Sequence, residues 1–302
     1  MARTRGIDME KKAFKKNISV FSIVIFIVLC LYVLSLIIPL IWAVITSLKG
    51  KLDFLRNPFG LPKKWMWENF KTAVEYFTSP YNKDGVVRTV YIGEMLKNSL
   101  VYAIGASFLS TFITCIMAYA SARFDFKVGK LIYSIVIVVM TLPIVGSLPS
   151  EIQMIKALNL YDTMAGMLIM NCSFLGMYFL IFYATFKGIP KDFSEAAYVD
   201  GASNLTVLVK IMLPLILNTF MTIMLIKFIG LWNDYYMTMQ FMPNIKTLAF
   251  GLYEYSHSYK PAITGVPMKL AGCCILAVPV LILFLIFHDR IMGNLAAGGI
   301  KE

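Results

Sequence analysis

The most chemically specific polar stretch of the chain runs from Lys187 to Asn204, between two long apolar runs. Pro190 bars a helix from continuing into it, Asp192 can cap a new helix, and Glu195 stands where the acid of a capping box falls. The spacing therefore predicts a short helix that begins at Asp192. Gly201 supplies a left-handed residue of the kind that ends a helix.

The predicted helix has one face suited to docking on another protein. Three- and four-residue spacing places the following residues on that face: Phe193, Ala196, Ala197 and Asp200. Two alanines allow a helix backbone to settle deeply into a groove, so the chemistry offered here is recognition. Ser203 can cap the next helix, and Pro214 should kink the start of the following apolar run.

Residues that could carry out catalysis form no recognisable set in this sequence. It contains no Gly-rich phosphate loop, no GxSxG nucleophile elbow and no HExxH zinc motif. The five cysteines lack CxxC spacing, and His257 and His288 stand apart from any cysteine or carboxylate cluster. We therefore expect no metal, no cofactor bound by this chain and no enzymatic activity.

The elements that must position the polar stretch are apolar. Hydrophobic residues make up 59% of the 302 residues and charged residues 15%, and the mean hydropathy is +0.72. A typical soluble domain has about 25% charged residues. So little charge cannot cover a soluble globule, and disorder requires the opposite composition. The composition predicts an integral membrane protein.

The apolar residues form blocks long enough to cross a bilayer, which takes roughly 20 residues. Lys227 interrupts one block, and we interpret it as a side chain whose stem reaches the membrane interface. Six spans are predicted, at about residues 17–48, 95–122, 131–150, 163–186, 211–232 and 269–288. The expected fold is all-α, with an N-terminal segment 1–16, a six-helix membrane domain 17–302, a polar loop 187–210 and a tail 289–302.

The basic residues indicate how the chain is oriented. Six lysines and arginines precede the first span, and Lys and Arg are about twice as dense in the segments that this assigns to the cytoplasm. Both termini and loop 187–210 are therefore expected to be cytoplasmic. The net charge of +11 is explained by orientation and by anionic lipid, without nucleic acid.

Uncharged polar and aromatic residues inside the predicted spans are candidates to line a path for a hydroxylated solute. They are Asn171, Ser173, Asn218, Thr222 and Trp232. The alternative is that the polar side chains bond neighbouring helices or backbone, and that Trp232 belongs to an interfacial aromatic belt. The predicted spans contain no Asp or Glu, which argues against an ion-coupled carrier.

The polar loop resembles the EAA loop of bacterial ABC importer permeases. The residues at the defined positions of that motif are Glu195, Ala196, Ala197, Gly201, Ile211, Leu213 and Pro214. In that family the loop forms a coupling helix that docks on the ATPase subunit. The resemblance assigns this role here to Glu195, Ala196, Ala197, Asp200, Gly201, Ile211, Leu213 and Pro214.

Other segments narrow the resemblance to carbohydrate permeases related to the maltose importer, and to its smaller, six-helix subunit. These segments are 39–49, 57–62, 67–70, 232–235 and 293–301. The family analogy also places a short helix over residues 246–253, near the outer mouth. It implies a second contact with the ATPase through tail residues Asn294, Leu295, Gly298, Gly299 and Lys301.

The resemblance implies a set of partners and a location. The partners are a second homologous permease, two ATPases that bind ATP and Mg²⁺, an extracytoplasmic sugar-binding protein and membrane lipid, with no nucleic acid. The location is the bacterial cell membrane, and the implied function is import of a mono- or oligosaccharide. Two alternatives stay open: an ABC permease for a polyamine, phosphate or amino acid, and a self-sufficient secondary carrier or channel.

Overall fold

The computed structural model describes residues 20–83, 85–124, 126–142 and 146–297, so the predicted segment 1–16 lies outside the described residues. The helices up to the polar loop are α1 Val20–Ser47, α2 Lys51–Arg56, α3 Glu68–Tyr76, α4 Ile92–Arg123, α5 Lys127–Thr141, α6 Leu148–Ala157, α7 Met164–Met170 and α8 Met177–Gly188. Those that follow are α9 Asp192–Val199, α10 Asn204–Val207, α11 Leu213–Leu215, α12 Leu217–Trp232, α13 Tyr236–Phe241, α14 Leu248–Ser256 and α15 Val266–Ala297.

The fold is mostly helical, but the expectation of an all-α chain is wrong at one place. Strands β1 Thr78–Lys83 and β2 Val86–Tyr91 form an antiparallel hairpin. Its signals are present in the sequence, because β2 is rich in β-branched residues and the preceding dipeptide Asp84-Gly85 is a favoured two-residue hairpin turn. Gly85 has a φ of 78°, which an Asp-Gly turn requires of its glycine.

Three helices in the described part of the chain are long and apolar enough to cross a membrane. They are α1, α4 and the first 21 residues of α15. The predictions of helices near 17–48, 95–122 and 269–288 are therefore confirmed, with shifted ends. Nearly every side chain of α1 is exposed and apolar, as expected of a helix that faces lipid or another membrane subunit.

Two predicted spans are not continuous helices. In 131–150, α5 ends at Thr141, and Leu142 is extended with ψ 122°. Pro143 follows it, and a proline disfavours the helical conformation of the residue before it. In 163–186, α7 ends at Met170 and α8 begins only at Met177, after Gly176 with a φ of 149°. A single unbroken helix was the wrong expectation for both.

The predicted span 211–232 is bent. The segment Asn204–Leu215 and the helix α12 meet at an angle of 75°, and Ile216 between them has φ −103° and ψ 8°. A π-helical turn, Leu208–Met212, precedes the bend. Pro214 cannot donate a backbone hydrogen bond within this segment, and its ring clashes with the preceding turn. The predicted kink at Pro214 is confirmed.

The predicted tail 289–302 is not separate from the last span, because α15 continues as one helix to Ala297. Asn294 and Leu295 lie within that helix. The other candidate tail residues, Gly298, Gly299 and Lys301, lie outside the described residues.

Helix α4 lies at the centre of the packing and contacts α7, α8, α12 and α14. One buried cluster surrounds Phe179, Phe182 and Phe186, where α4, α8 and the bent segment meet. Another surrounds Phe77, Trp232 and Tyr255 at the opposite end of the molecule. The two ends of α4 are therefore held in separate cores, one next to the polar loop and the other next to the hairpin.

Candidate functional site

Helix α9 starts where the sequence predicts, but it is capped differently. Lys191 occupies the N-cap position, and its carbonyl accepts from the backbone N–H of Ser194 and of Glu195 at 2.9 and 3.0 Å. No side chain caps the helix, so the expected capping box of Asp192 and Glu195 is wrong. Both carboxylates instead lie in the first turn, where negative charge complements the helix dipole.

The end of α9 is a Schellman motif built on Gly201. The N–H of Gly201 donates to the carbonyl of Tyr198 at 3.0 Å, and the N–H of Ala202 donates to that of Ala197 at 2.9 Å. Gly201 has a φ of 80°, a conformation that glycine adopts without penalty. The prediction that Gly201 ends the helix is confirmed. Ser203 also caps α10 as predicted, by accepting from the N–H of Thr206.

The outward face of α9 differs from the predicted docking face. Ala197 is partly buried and, with Ala202, packs against the core that surrounds Phe179, so its assignment to the docking face is wrong. Four apolar side chains on α9 and at the start of α10 are exposed: Phe193 (50%), Ala196, Val199 (88%) and Leu205 (70%). We call these four residues the outward patch. Glu195 and Asp200 are exposed beside it.

The last three residues of the spaced set lie in the bent segment rather than on the outward patch. Ile211 and Leu213 are partly buried, and Leu213 packs against the same core as Ala197. Pro214 is exposed and precedes the bend at Ile216. These residues therefore shape the connection between the loop and α12.

Arg123, the last residue of α4, fastens that helix to the polar loop. Its Nη2 donates to the carbonyl of Ile189 at 2.9 Å, two residues before the N-cap of α9. A cleft of about 260 Å³ lies between Arg123, Phe124 and the α9 residues Glu195 and Tyr198. The sequence carries no signal for this contact beyond a basic residue at the end of a span.

Three of the candidate path residues take part in hydrogen bonds within the chain. Asn171 donates to the carbonyl of Met167 at 2.9 Å and to the hydroxyl of Tyr102 at 3.4 Å. Thr222 donates to the carbonyl of Asn218 at 2.9 Å. Ser173 is exposed and accepts from the N–H of Leu175. Asn171 and Thr222 thus follow the alternative that the sequence left open, because they hydrogen-bond backbone carbonyls and, for Asn171, a side chain of a neighbouring helix.

Trp232 is buried in the core of the chain and not in a path or an interfacial belt. It is 1% exposed, its Nε1 donates to the carbonyl of Leu276 at 3.2 Å, and its ring stacks on that of Phe228 at 5.7 Å. Both sequence interpretations of Trp232 are wrong, because its position at the end of an apolar run does not reveal that α15 covers it.

Lys227 lies between three helices. Its Nζ donates to Ser110 Oγ at 2.5 Å and lies 3.5 Å from Thr114 Oγ1, both on α4. It also lies 5.3 Å from the centre of the Tyr178 ring on α8. A rise of about 1.5 Å per residue places Ser110 about 27 Å from Ile92 and about 20 Å from Arg123. The ammonium is therefore near the middle of α4, and the interpretation that it reaches the interface is wrong.

A cation at this depth is costly for a membrane helix. Insertion scales assign about 2.5–3.5 kcal/mol to a lysine at the centre of a spanning helix. The partners of Lys227 are neutral hydroxyls and a ring. No carboxylate of the described residues lies within 4 Å of its ammonium, and the ion pair found among those residues joins Lys246 to Glu254. An ionisable side chain so placed marks a functional position more often than a structural one.

The hairpin end of the molecule, at the start of α4, is held together by side chains from distant parts of the chain. Lys246 Nζ pairs with Glu254 Oε1 at 2.8 Å and lies 3.8 Å from the centre of the Phe250 ring. Ser79 of the hairpin donates to the other carboxylate oxygen of Glu254. On α4, Asn98 Nδ2 donates to the carbonyl of Lys246 at 3.0 Å. We call this set the Lys246 network.

Helix α14 belongs to the same region and confirms the expected short helix near residues 246–253. Thr247 caps it by accepting from the N–H of Phe250, and Ser99 on α4 accepts from the N–H of Leu248 at 2.6 Å. Burial raises the pKa of the Tyr255 hydroxyl to about 12, and that hydroxyl donates to the carbonyl of Met268 at 3.1 Å. The helix is thus fixed to both α4 and α15.

Two carboxylates brace the loops around α13. Asp162 accepts from the backbone N–H and the side-chain Nδ2 of Asn244, at 2.9 and 2.7 Å. Asp234, just beyond α12, accepts from the hydroxyl of Tyr102 at 3.1 Å and from the N–H of Met237 at 3.0 Å. Burial raises the pKa of Asp234, and these hydrogen bonds oppose that rise.

The fold has a solved counterpart. A chain of a bacterial ABC transporter involved in the import of the acidic polysaccharide alginate superposes with a TM-score of 0.75, at 20% sequence identity, over 91% of this chain and 98% of the other. The chain therefore shares its fold with that transporter chain.

Sequence comparison shows the family as well. Residues 110–297, more than half of the chain, match the family described as binding-protein-dependent transport system inner membrane component. The chain belongs to this family. Membership implies a protein of the inner membrane that works with partners such as ATPases and a binding protein.

Curated relatives match along nearly the whole chain. The diacetylchitobiose uptake system permease protein of Streptomyces coelicolor is 26% identical over 92% of this chain and 88% of its own length. The sulfoquinovosyl glycerol transport system permease protein of Agrobacterium fabrum is 27% identical over 91% and 93%. The trehalose/maltose transport system permease protein of Thermococcus litoralis is 26% identical over 97% and 99%.

Proposed function

We propose that this chain is the membrane permease subunit of an ATP-driven importer of carbohydrates. The relatives that cover it almost end to end are named for the uptake of diacetylchitobiose, sulfoquinovosyl glycerol and trehalose or maltose. The observation that carries the proposal is α9, a helix held to the membrane core at Ala197 but with an apolar outer face left uncovered.

The outward patch is the docking surface for an ATPase. Exposed apolar side chains as large as Phe193, Val199 and Leu205 on one short segment are typical of a protein interface. Glu195 and Asp200 beside them supply charges that fix the register of the contact. Arg123 and the bent segment around Pro214 then pass a movement of α9 to α4 and α12.

The working assembly contains this chain, a second homologous permease, two ATPases and an extracytoplasmic sugar-binding protein. ATP and Mg²⁺ bind at the ATPases, so this chain takes part in no chemical step. The end of α15, with Asn294 and Leu295, and the residues Gly298, Gly299 and Lys301 beyond it form a second contact with an ATPase.

The chain crosses the membrane six times, with both termini and loop 187–210 in the cytoplasm. Three crossings are α1, α4 and α15. The pairs α5 with α6 and α7 with α8 complete two more as broken helices, and the bent segment with α12 completes the sixth. Broken helices at membrane depth are tolerated where they are buried in protein or line a cavity.

The proposal is tested with Gly201→Asp in the complete transporter, reconstituted in liposomes with its binding protein. At a φ of 80° a side chain is strained, although no neighbouring atom would clash with it. We expect ATP-driven sugar uptake to be abolished while the subunit still reaches the membrane. Gly201→Asn should retain part of the uptake, because asparagine is found at this helix-ending position and adds no negative charge at the helix C-terminus.

The matched control is Gly93→Asp, the same change in the first turn of α4. Gly93 has open space around its Cα, and an acid in a first turn is favourable, so uptake should be normal. Normal uptake by Gly201→Asp would overturn the coupling role of α9. Failure of the unmodified complex to take up any carbohydrate would overturn the proposed substrate class.

A further inference from the structure

We infer that Lys227 binds a carboxylate carried by the transported sugar, as in a uronic acid. The site lies at membrane depth, beside the break between α7 and α8. This inference rests on the proposed function and names the chemical class of its substrate.

The first argument is the position of the charge. Lys227 lies on α12 and its ammonium meets α4 near the middle of that helix, at Ser110. Within the described parts of α1, α4, α12 and α15, the other charged side chains stand near helix ends. Placing a lysine at the centre of a membrane-spanning helix costs free energy, and binding an anion to its ammonium would offset that cost.

The second argument is the set of partners. Ser110 Oγ accepts from the ammonium, so its own hydroxyl proton can be donated to a further acceptor. Thr114 Oγ1 already donates to the carbonyl of Ser110 at 2.6 Å, which fixes the hydroxyl next to Lys227. The Tyr178 ring covers another side of the ammonium. This leaves a positioned cation and one hydroxyl donor, the groups that hold an oxyanion.

The third argument is access. Residues 171–176 interrupt an otherwise apolar helix, and non-helical backbone at such depth is expected where it is buried in protein or lines a cavity. Ser173 in this break is exposed, and Met177 is 64% exposed. The break therefore reaches the surface of the subunit next to Tyr178, whose ring lies near Lys227.

Asn218 and Thr222 lie on the other side of α12 and do not belong to this site. Asn218 precedes Lys227 by nine residues, which is half a turn out of phase at about 100° per residue. Asn218 is exposed, and it faces lipid or the second permease. A carboxylate of that second permease is the competing source of an anion for Lys227, and the experiment separates it from the solute.

The experiment uses the complete transporter with its binding protein in liposomes. The liposomes receive ATP inside and a mixture of oligosaccharides outside, made from starch, chitin, pectin and alginate. The first two supply neutral sugars and the last two supply uronates. The sugars that accumulate are identified by mass spectrometry for the unmodified complex and for Lys227→Met, Lys227→Arg and Lys156→Met.

We expect uronates to accumulate, with at least a tenfold loss of uptake in Lys227→Met and substantial retention in Lys227→Arg. Lys156→Met is the matched control, because Lys156 also lies over a tyrosine ring, that of Tyr161 at 4.7 Å, but is exposed on α6. The Lys156→Met transporter should take up uronates normally. Recovery of the assembled complex and its sugar-independent ATPase rate show whether Lys227→Met folds; if it does not, Ser110→Ala serves as the second variant, with a smaller loss expected.

Three outcomes would overturn the inference. Uptake of neutral sugars alone would leave the proposed function standing and would point to a carboxylate of the second permease as the partner of Lys227. Equal uptake of uronates by Lys227→Met and the unmodified complex would remove Lys227 from the site. Uptake of no sugar at all by the unmodified complex would contradict the proposed function as well.

Discussion

The two ends of α4 are built in opposite ways. At the hairpin end, the Lys246 network, the N-terminus of α14 and the hairpin are joined by hydrogen bonds between residues far apart in sequence. At the other end, α9 buries none of its residues completely, and it is held by its Schellman motif, by Ala197 and through Arg123. One end is self-sufficient, whereas the other presents an uncovered apolar surface.

This difference between the two ends predicts that one set of substitutions affects the stability of the subunit and the other its coupling to the ATPase. Substitutions in the Lys246 network and in the contacts of Asp162 and Asp234 should lower the free energy of unfolding of the subunit, because they break contacts within the chain. Substitutions on the outward patch should leave that free energy unchanged and affect transport, because the contacts they remove are with another protein. Four substitutions test this division, and they follow in order of decreasing expected effect.

Val199→Asp should reduce ATP-driven uptake at least tenfold. Val199 is 88% exposed, and a charge placed in an apolar interface loses more than the 1.4 kcal/mol that corresponds to a tenfold weaker contact. The thermal midpoint of the purified subunit in detergent should not change. Val199→Thr, which keeps the shape of the side chain, serves as the control. Full uptake by Val199→Asp would show that the outward patch is not an interface.

Lys246→Met should destabilise the subunit by about 3 kcal/mol, the usual cost of removing one partner of a largely buried pair. Lys246 is 7% exposed and its partner Glu254 31%. Thermal unfolding followed by tryptophan fluorescence measures the loss. The double variant Lys246→Met with Glu254→Gln should recover part of it, because no unpaired carboxylate remains. An unchanged midpoint in the single variant would show that this ion pair does not stabilise the hairpin end.

Asn244→Ala should cost about 1–2 kcal/mol, because it removes a hydrogen bond to a charged carboxylate, that of Asp162, at 2.7 Å. Asn233→Ala is the control, since Asn233 is exposed and bonds only the carbonyl of Ile229 in its own helix among the contacts described for its side chain. The two variants are compared by their thermal midpoints. Equal losses would show that the Asp162 contact adds nothing specific.

Asp234→Asn should have the smallest effect and depend on pH. Burial raises the pKa of Asp234 above its ordinary 3.8, so the folded protein binds its proton more tightly than the unfolded chain does. The unmodified protein should therefore lose stability as the pH rises from about 3.8 through the folded pKa, and the asparagine variant should lack this loss. Thermal midpoints measured across this range test it; parallel pH profiles would contradict it.

Much of the polar loop could be predicted from the sequence, because its signals are local. The start of α9, the left-handed Gly201, the cap at Ser203 and the kink at Pro214 each depend on a few neighbouring residues. The face of α9 could not be predicted, because spacing alone does not tell whether Ala197 meets the core or another protein. That depends on where α8 and the bent segment lie.

The positions of the apolar segments could be predicted from the sequence, but not whether each of them forms one unbroken helix. An apolar run indicates only that a segment is suited to lipid. Both the unbroken helix α4 and the run that divides into α7 and α8 have this property. The break depends on Gly176 and on what packs beside it. Lys227 illustrates the same limit, because its partners on α4 are more than a hundred residues away in sequence.

The length of α4 has a mechanical consequence. Its 32 residues, with no proline among them, form a rod of about 48 Å, longer than the roughly 30 Å hydrocarbon thickness of a bilayer. One end is anchored at Asn98 and Ser99, and the other is tied through Arg123 to the segment before α9. If the loop end moves, such a rod would turn about its contacts at Asn98 and Ser99, and the displacement would shrink in proportion to distance from them. Lys227, which meets the rod near its midpoint, would be carried about half as far as the loop itself.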